Sequence, residues 1–448
     1  MPDRESDRLS GRVRRYARVG TSVGGVAARM AGQRYLGLPA DRERNAAELR
    51  RALGGLKGPL MKVAQLLATV PGGLPEEYAD ELGALQSQAP PMGWGFVKRR
   101  MAAELGPEWR AAFAAFETEA AAAASLGQVH RATSHDGTQL ACKLQYPDMA
   151  SAVAADIRQL KLIFAIYARY DRAIDTGEVH AEIAARLREE LDYEREARHM
   201  ALYAEMLGDD PGVHVPVVDA ALSTGRLLTM NWLDGAPLLD FKEALLEQRN
   251  DIALHMFNAW YVPLYRYGVL HGDPHLGNYT VREDGTINLL DYGCIRVFDG
   301  RFVQGIIDLY HAVRDDDRDL AVHAYETWGF SDLSNEMVEA LNIWANYIYG
   351  PLLEDRTRMI DEAGNARYGG EMAAKTHREI RRLGGVTPPR EFVLIDRSAI
   401  GLGSVFLHLK AELNWHRLYE DLIADFEAAK LSRRQASALE LCGVPEAA

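Results

Sequence analysis

Cysteine is scarce in this chain. Its 448 residues include three cysteines, Cys142, Cys294 and Cys442. They are too few and too far apart for a disulfide framework or a cysteine-bound metal cluster. We therefore expect a protein of a reducing compartment.

Long apolar runs and an excess of positive charge are also missing. No segment approaches 18 uninterrupted apolar residues, and the N-terminus has no apolar region typical of a signal peptide. The net charge is −13, so we expect no nucleic-acid partner, because phosphate backbones favour basic surfaces. The predicted location is the cytoplasm, with peripheral contact to a membrane left open.

Composition shifts and proline or glycine clusters divide the chain into four predicted segments. These are a basic arm (1–36), a helical extension (37–91), a mixed unit with short strands (92–233) and a mainly helical unit (234–448). The arginine-rich arm fits two alternatives, a solvated tail and a basic segment that touches an anionic membrane. The sequence shows no internal repeat.

The stretch from His271 to Gly293 contains three side chains suited to metal and phosphate chemistry, namely Asp273, Asn278 and Asp291. Between the last two, Asp284-Gly285 is a hairpin signal. A two-residue primed turn there would place Asn278 directly opposite Asp291, where an amide and a carboxylate can share one Mg²⁺. The stretch therefore predicts a phosphotransfer centre.

A predicted strand over residues 139–145 carries a lysine away from the core. Period-two alternation places Leu140, Cys142 and Leu144 on one face and Lys143 on the other. A surface lysine is the simplest interpretation. The small neighbouring Ala141 would leave room for an adenine ring, which favours a nucleotide site.

Carboxylates follow on a helix predicted over residues 177–206. At 100° per residue Asp192 and Glu196 share a face, whereas Glu190 points about 120° away from Glu196. Such acidic faces are usually solvated. If the helix lies beside Lys143, one carboxylate can orient the lysine towards phosphates and another can bind a different element.

No glycine-rich phosphate loop precedes this lysine; an alanine run, Ala120–Ala124, stands in its place, followed by Ser125. Glycine lets backbone N–H groups approach phosphates through positive φ, and alanine does not adopt that conformation cheaply. The run is either an ordinary helix segment or a modified nucleotide loop.

Five motifs in order resemble the UbiB (AarF) family of atypical protein-kinase-like proteins. They are Ala122–His130, Ala141–Lys143, Glu190–Ala197, His271–Asn278 and Asp291–Gly293. The resemblance covers roughly residues 45–300 and implies an α+β, two-lobed protein-kinase-like fold. That fold would have a small mixed lobe with an antiparallel sheet, a larger helical lobe and an N-terminal helical extension.

The resemblance also implies roles for single residues. Lys143 would pair with Glu196 and contact the phosphates of ATP or ADP, Asp273 would be the catalytic aspartate, and Asn278 with Asp291 would hold Mg²⁺. The nucleotide site would further include Ala122, Ala123, Ala124, Ser125 and Met230. In the extension, Lys62 and Gln65 match a Lys-x-Gly-Gln signature except for Ala64, and Lys62 would pair with Glu190, the first acid of the Glu-x-Asp motif that Asp192 completes.

Two further absences separate the chain from ordinary protein kinases. Gly272 replaces the arginine of the usual His-Arg-Asp loop, and no Ala-Pro-Glu follows Gly293, so the peptide platform is expected to be missing. The resemblance favours an atypical kinase or ATPase that supports prenylquinone or other isoprenoid lipid metabolism, with pathway enzymes as partners. A nucleotide-gated lipid-binding protein without phosphotransfer and a small-molecule kinase are the alternatives. The alanine run and the Lys62/Gln65 segment disfavour the small-molecule kinase.

Overall fold

The computed structural model describes residues 92 to 445, apart from residues 125 and 148 and parts of the stretches 152–186 and 363–388. The chain divides into two compact units. In the described chain, the first unit comprises residues up to 194 and 218–232, and the second comprises 195–217 and the residues from 233 onwards. The predicted arm and extension, with Lys62 and Gln65, lie outside the described residues.

The first unit is built on an antiparallel sheet. Its strands are β1 (Ala115–Phe116), β2 (Ala122–Ala124), β3 (Gly127–Thr133), β4 (Gln139–Gln145) and, later in the chain, β6 (Leu227–Asn231). The order is β1-β3-β4-β6, and β2 also pairs with β3. The helix α1 (Trp94–Leu105) precedes the sheet, and short 3-10 turns occur at Trp109–Ala112 and Ala220–Leu222.

The predicted core face of β4 is confirmed. Leu140, Cys142 and Leu144 are buried in one hydrophobic cluster with side chains of α1 and the 3-10 turn that follows it, including Val97, Met101 and Trp109. Burial raises the pKa of the Cys142 thiol to about 12, so this cysteine behaves as an apolar core residue.

The buried Arg100 of α1 attaches that helix to the end of β4. Its guanidinium donates to the Gln145 carbonyl at 3.2 Å and pairs with Glu104 at 3.1 Å. A buried guanidinium needs such partners because an unpaired charge in the interior is costly. The helix is therefore fixed to the sheet by polar bonds as well as by its apolar face.

The prediction of one continuous helix over 177–206 is wrong, because the chain leaves the helical conformation at residues 190–192. Helix α2 begins at Tyr193 and ends at Leu207, and residues 190–192 form a turn in which the Asp192 N–H bonds to the Glu189 carbonyl. The Leu191 carbonyl accepts a hydrogen bond from Gln145 Nε2 at 3.1 Å, so a side chain of the sheet binds the chain where the helix is interrupted. The angular relation predicted among Glu190, Asp192 and Glu196 therefore does not hold.

The second unit is mainly helical, as predicted. After α2 its helices are α3 (Leu246–Tyr267), α4 (Gly300–Asp315), α5 (Arg318–Thr327), α6 (Asn335–Tyr349), α7 (Arg390–Leu409), α8 (Trp415–Ile423) and α9 (Ala428–Cys442). Short 3-10 turns lie at Leu238–Phe241, Leu276–Asn278 and Gly350–Leu352. None of the described helices has both the length and the apolar character needed to cross a membrane.

Short strands position the candidate site in this unit. They are β5 (Val213–His214), β7 (Val269–His271), β8 (Tyr279–Val281), β9 (Ile287–Leu289), β10 (Ile295–Val297), β11 (Arg358–Met359) and β12 (Glu412–Leu413). The strand β10 pairs with β7, β11 pairs with β12, and β9 lies between β5 and β8. An antiparallel sheet unit followed by a mainly helical unit is the predicted α+β class.

Candidate nucleotide and metal site

Strand β7 leads into the candidate catalytic loop, which comprises His271–Asn278. It pairs with β10 so that His271 lies opposite Ile295, and the Gly272 N–H donates to the Cys294 carbonyl at 2.7 Å. A Cβ added at residue 272 would lie 2.9 Å from Cys294 Sγ and 3.1 Å from the Cys294 carbonyl oxygen. Glycine fits here without strain, whereas any side chain at this position would force Cys294 to move.

His271 joins the candidate catalytic loop to the predicted metal loop, which comprises Asp291–Gly293. Its Nδ1 accepts from the Asp273 N–H at 3.2 Å, so the proton lies on Nε2, which donates to the Asp291 carbonyl at 2.7 Å. The ring is buried, and burial lowers the pKa of His271 below 6.5 despite the opposing effect of the Asp291 carbonyl. A neutral imidazole therefore connects the backbone of Asp273 to the backbone of Asp291.

Asn278 is held to the same loop. Its Nδ2 donates to the Asp273 carbonyl at 3.0 Å, and its own carbonyl accepts from the Leu290 N–H at 2.8 Å. These bonds fix the amide so that Oδ1, an oxygen of the kind Mg²⁺ prefers, belongs to a rigid side chain.

The predicted hairpin is present, but its predicted register is wrong by one residue. Thr280 pairs with Asn288, not with Leu289, and Asn278 is bonded to Leu290. The connection is a three-residue loop because the Arg282 N–H bonds to the Thr286 carbonyl, with Gly285 at φ +84. A three-residue loop with its glycine in the left-handed region shifts every pair beyond it by one residue.

The Asp-Tyr-Gly motif is fixed from two sides. The Gly293 N–H donates to Asp291 Oδ1 at 3.0 Å. Tyr292, which replaces the usual phenylalanine, is fully buried and donates its hydroxyl proton to the Leu289 carbonyl at 3.2 Å. From α2, the Nδ1 atom of the buried His199 lies 3.1 Å from the Tyr292 carbonyl, so this helix is attached to the metal loop.

Glu196 lies on α2 one turn before His199 and is 5% exposed. Burial raises the pKa of Tyr292 far above its ordinary value, and the charges of Asp291 and Glu196 raise it further. The carboxyl of Glu196 therefore lies within electrostatic reach of the Asp-Tyr-Gly motif.

Lys143 belongs to the first unit, on β4, where it is half-buried. Its Nζ lies 5.3 Å from the centre of the Tyr193 ring, within cation–π range. Glu196 belongs to the second unit. The pairing of Lys143 with Glu196 stays a prediction, as does that of Lys62 with Glu190.

Ala122–Ala124 of the alanine run form the strand β2, which excludes the helical interpretation of the run. In the sheet, Ala123 pairs with Gln128 and Ala122 with Val129. Of the other residues assigned to the nucleotide, Met230 pairs with Ala141 and is buried, whereas Ser125 lies outside the described residues. The assignment of this group to a nucleotide stays a prediction.

Helix α7 contacts the catalytic loop, a feature that sequence reasoning missed. A Cβ at Gly401 would lie 2.3 Å from Pro274 Cγ, and Ser398 Oγ donates to the His271 carbonyl at 3.4 Å. Trp260 of α3 donates its indole N–H to the same carbonyl at 3.0 Å. The only signal in the sequence is the Gly-Leu-Gly segment at 401–403, because glycine is rare inside a helix.

The donor set at this site suits Mg²⁺. Among the described residues, no group of three or more His, Cys, Asp or Glu side chains could hold a metal. A kinase-type magnesium site needs fewer protein ligands, because phosphate and water oxygens supply the rest. Asn278 and Asp291, each fixed by its own hydrogen bonds, fit that role.

The antiparallel sheet unit, the helical unit and the His-Gly-Asp and Asp-Tyr-Gly loops define a kinase-like protein. The family model described as ABC1 atypical kinase-like domain matches residues 84–325, more than half of the chain. The chain belongs to this family.

Relatives in other organisms agree with this assignment. The protein ACTIVITY OF BC1 COMPLEX KINASE 1, chloroplastic, of Arabidopsis thaliana is 32% identical over 67% of this chain and 46% of its own length. The atypical kinase COQ8B, mitochondrial, of Rattus norvegicus is 26% identical over 87% of this chain and 74% of its own length. The chain thus spans less than half of the chloroplast relative.

A solved structure has the same fold. It is the complex of Rv3197 with erythromycin from Mycobacterium tuberculosis, with a TM-score of 0.58, 25% identity, and coverage of 85% of this chain and 96% of that chain. The kinase-like fold predicted from the motifs is confirmed.

Proposed function

We propose that this protein is a Mg²⁺-dependent, ATP- or ADP-binding atypical kinase or ATPase. The observation that carries the proposal is the bonded frame in which His271 links Asp273 to Asp291 while Asn278 bonds back to Asp273. Bound Mg²⁺ would neutralise phosphate charge. Asp273 would accept a proton from a substrate hydroxyl or orient a water for hydrolysis.

We further propose that the substrate or effector is a prenylquinone precursor or another isoprenoid lipid. The family resemblance supports this, and so does the absence of an Ala-Pro-Glu segment after Gly293, which argues against a peptide platform. The mycobacterial relative was solved in complex with erythromycin, which is not a peptide, and that supports testing small-molecule ligands before peptides. The proposed location is the cytoplasm, and peripheral contact to a membrane is the alternative that the liposome experiment below addresses.

A second candidate is a nucleotide-gated lipid-binding protein that transfers no phosphate. The observation that favours it is the contact of α7 with the catalytic loop, where Gly401 meets Pro274 and Ser398 bonds to the His271 carbonyl. A helix fixed against Pro274 and His271 would restrict the approach of a hydroxyl acceptor to the neighbouring Asp273. Nucleotide binding without turnover is the expected behaviour of this candidate.

ATP hydrolysis by the full chain would separate the two candidates. It should be measured with and without anionic liposomes and a phenolic quinone-precursor analogue. We expect stimulated hydrolysis that Lys143→Ala weakens through nucleotide affinity, whereas Lys98→Ala, an exposed lysine on α1, has no effect. Nucleotide binding without hydrolysis under every condition would favour the lipid-binding protein, and absence of nucleotide binding would contradict both.

A further inference from the structure

Two buried polar side chains of β3, Gln128 and His130, connect the sheet to the residue that follows the predicted N-terminal extension. Gln128 Oε1 accepts from the Met92 N–H at 2.7 Å, and Gln128 Nε2 donates to the Met92 carbonyl at 3.2 Å. Both Gln128 and His130 are 0% exposed. A single side chain therefore satisfies both backbone groups of Met92, as a neighbouring strand would.

His130 determines which way the Gln128 amide points. Its Nδ1 lies 2.9 Å from the Glu117 carbonyl, so the proton lies on Nδ1, and Nε2 accepts from Gln128 Nε2 at 2.8 Å. Rotating the amide by 180° would oppose its NH₂ to the Met92 N–H and its oxygen to the Met92 carbonyl. Neutral His130 therefore selects the orientation that matches Met92, because the opposite one leaves buried groups without partners.

We propose that His130 and Gln128 are a positioning pair that anchors Met92, the residue after the predicted N-terminal extension, to the strand beside the alanine run. Met92 follows Pro90-Pro91, where the predicted extension ends, and Gln128 pairs through its backbone with Ala123 of β2. The same residue thus connects Met92 to the segment assigned to the nucleotide. The anchor itself does not depend on the proposed nucleotide chemistry.

The surroundings of His130 keep the ring neutral near pH 7. Phe116 stacks on it at 5.5 Å and Trp94, itself covered by the Arg110 guanidinium, lies at 6.4 Å. Burial lowers the pKa of His130 below 6.5, and the carbonyl and carboxylate of Glu117 and the backbone of Glu119 oppose that effect in part. On its other side His130 pairs with Cys142 of β4, whose thiol is neutral.

Protonation in acid should therefore release Met92. An imidazolium presents a second N–H to the Gln128 NH₂ group, so the amide must rotate and its bonds to Met92 are lost. The anchor is present above the lowered pKa of His130 and is lost as the pH falls through it.

The test uses the full chain labelled with ¹⁵N-methionine, in which the Met92 amide is identified by Met92→Leu. We expect Gln128→Met, which keeps the size of the side chain but not its polar atoms, to accelerate hydrogen exchange at Met92 about tenfold or more. The matched control is Gln139→Met at the exposed start of β4, which should leave Met92 exchange unchanged. Equal exchange in the two variants would overturn the proposal.

A second measurement needs no variant that perturbs the core. The ¹⁵N shifts of His130 in the wild-type chain should show the Nδ1–H tautomer near pH 7, and Met92 exchange, corrected for its intrinsic pH dependence, should accelerate when the ring protonates. The Nε2–H tautomer, or protection of Met92 that persists after protonation, would contradict the proposal. Neither readout contains nucleotide, so failure of the proposed function would not be mistaken for failure of the anchor.

Discussion

The Tyr292 hydroxyl shows how one residue departs from the kinase pattern without disturbing the site. A buried hydroxyl needs a partner, and the Leu289 carbonyl, three residues earlier at the end of β9, supplies it at 3.2 Å. Gly272 is the complementary case, since Cys294 occupies the space that a side chain there would need. Both substitutions could be noticed in the sequence, but their reasons lie in neighbours that the motifs do not contain.

The contact between Gly272 and Cys294 gives a prediction at the residue scale. Gly272→Ala should lower the free energy of unfolding by about 1–3 kcal/mol, because the new methyl group lies too close to Cys294 Sγ. Adding Cys294→Ala should restore part of the lost stability because the sulfur is removed. The rescue should be incomplete because the backbone carbonyl of residue 294 stays close. Urea unfolding of the two single variants and the double variant measures the coupling, and strictly additive effects would contradict it.

Asp396 gives a second prediction at this scale. It accepts a hydrogen bond from Trp344 Nε1, and burial raises its pKa from 3.8 to about 6. The folded state thus binds the proton more tightly than the unfolded state, so stability is lost as the pH rises from about 4 to about 6. Asp396→Asn keeps an acceptor for Trp344 without the charge and should add about 1–3 kcal/mol of stability at pH 7.5.

The gain from Asp396→Asn should shrink towards pH 4.5, where the native carboxyl is largely protonated. Thermal unfolding at the two pH values checks this. Asp421→Asn, at an exposed position on α8, is the control and should show no such pH-dependent gain. An equal gain at both pH values would mean that the charge of Asp396 is not responsible.

At the scale of elements, both Asp-Gly hairpins close in the same way. The β3–β4 connection has Gly137 at φ +91 inside the Ser134–Thr138 closure, and the β8–β9 connection has Gly285 at φ +84 inside the Arg282–Thr286 closure. The Asp-Gly pair predicts a turn in each case. It does not determine whether the loop has two or three residues. The hairpin was therefore predictable from the sequence, and the register of its strands was not.

The start of α2 shows the same division between local and tertiary information. Residues 177–206 have a helical pattern, yet Gln145 of the sheet donates a hydrogen bond to the Leu191 carbonyl and helix α2 begins only at Tyr193. Nothing near residue 191 in the sequence announces a bond to residue 145. The predicted angular relation among Glu190, Asp192 and Glu196 is wrong because residues 190–192 are not helical.

Helix α7 gives a prediction with an internal control. Gly401→Ala and Gly403→Ala bring the same gain in helix propensity, about 1 kcal/mol. At Gly401 the new Cβ lies 2.3 Å from Pro274 Cγ, whereas at Gly403 nothing lies within 4 Å. Gly403→Ala should therefore be neutral or stabilising, and Gly401→Ala should destabilise by about 1–3 kcal/mol and weaken binding of the Mg²⁺–nucleotide complex.

Thermal unfolding and nucleotide titration of the two glycine variants check the contact with the catalytic loop. Identical behaviour in both assays would mean that α7 does not support that loop. This helix begins more than 110 residues after Pro274. Sequence reasoning missed the contact because packing between distant elements leaves no local pattern.

At the scale of the whole molecule, the predicted site residues are divided between the two compact units. Lys143, Met230 and the alanine strand belong to the first, and Glu196, Asp273, Asn278 and Asp291 belong to the second. The motifs and their order were sufficient to predict the fold and the family. The bonds that hold the loops, such as those of His271 and His199, required the structure.

The chain matches only part of the length of its relatives, which limits how much of their activity can be assigned to it. It spans 46% of the length of one chloroplast relative and 74% of the rat relative, so the activities of those whole proteins are proposals for this one. The central claim is narrower: Asn278 and Asp291 hold a Mg²⁺–nucleotide complex on the frame that His271 organises.

The Mg²⁺-dependent thermal shift with ATP or ADP tests that claim most directly. Asp291→Asn removes the charge of the proposed metal ligand. Asp284→Asn changes an exposed aspartate in the loop of the same hairpin and leaves an acceptor for Thr286. We predict that Mg²⁺ and nucleotide raise the unfolding temperature of the wild type and of Asp284→Asn, and that Asp291→Asn abolishes the rise. A full Mg²⁺-dependent shift in Asp291→Asn would contradict the assignment of the site.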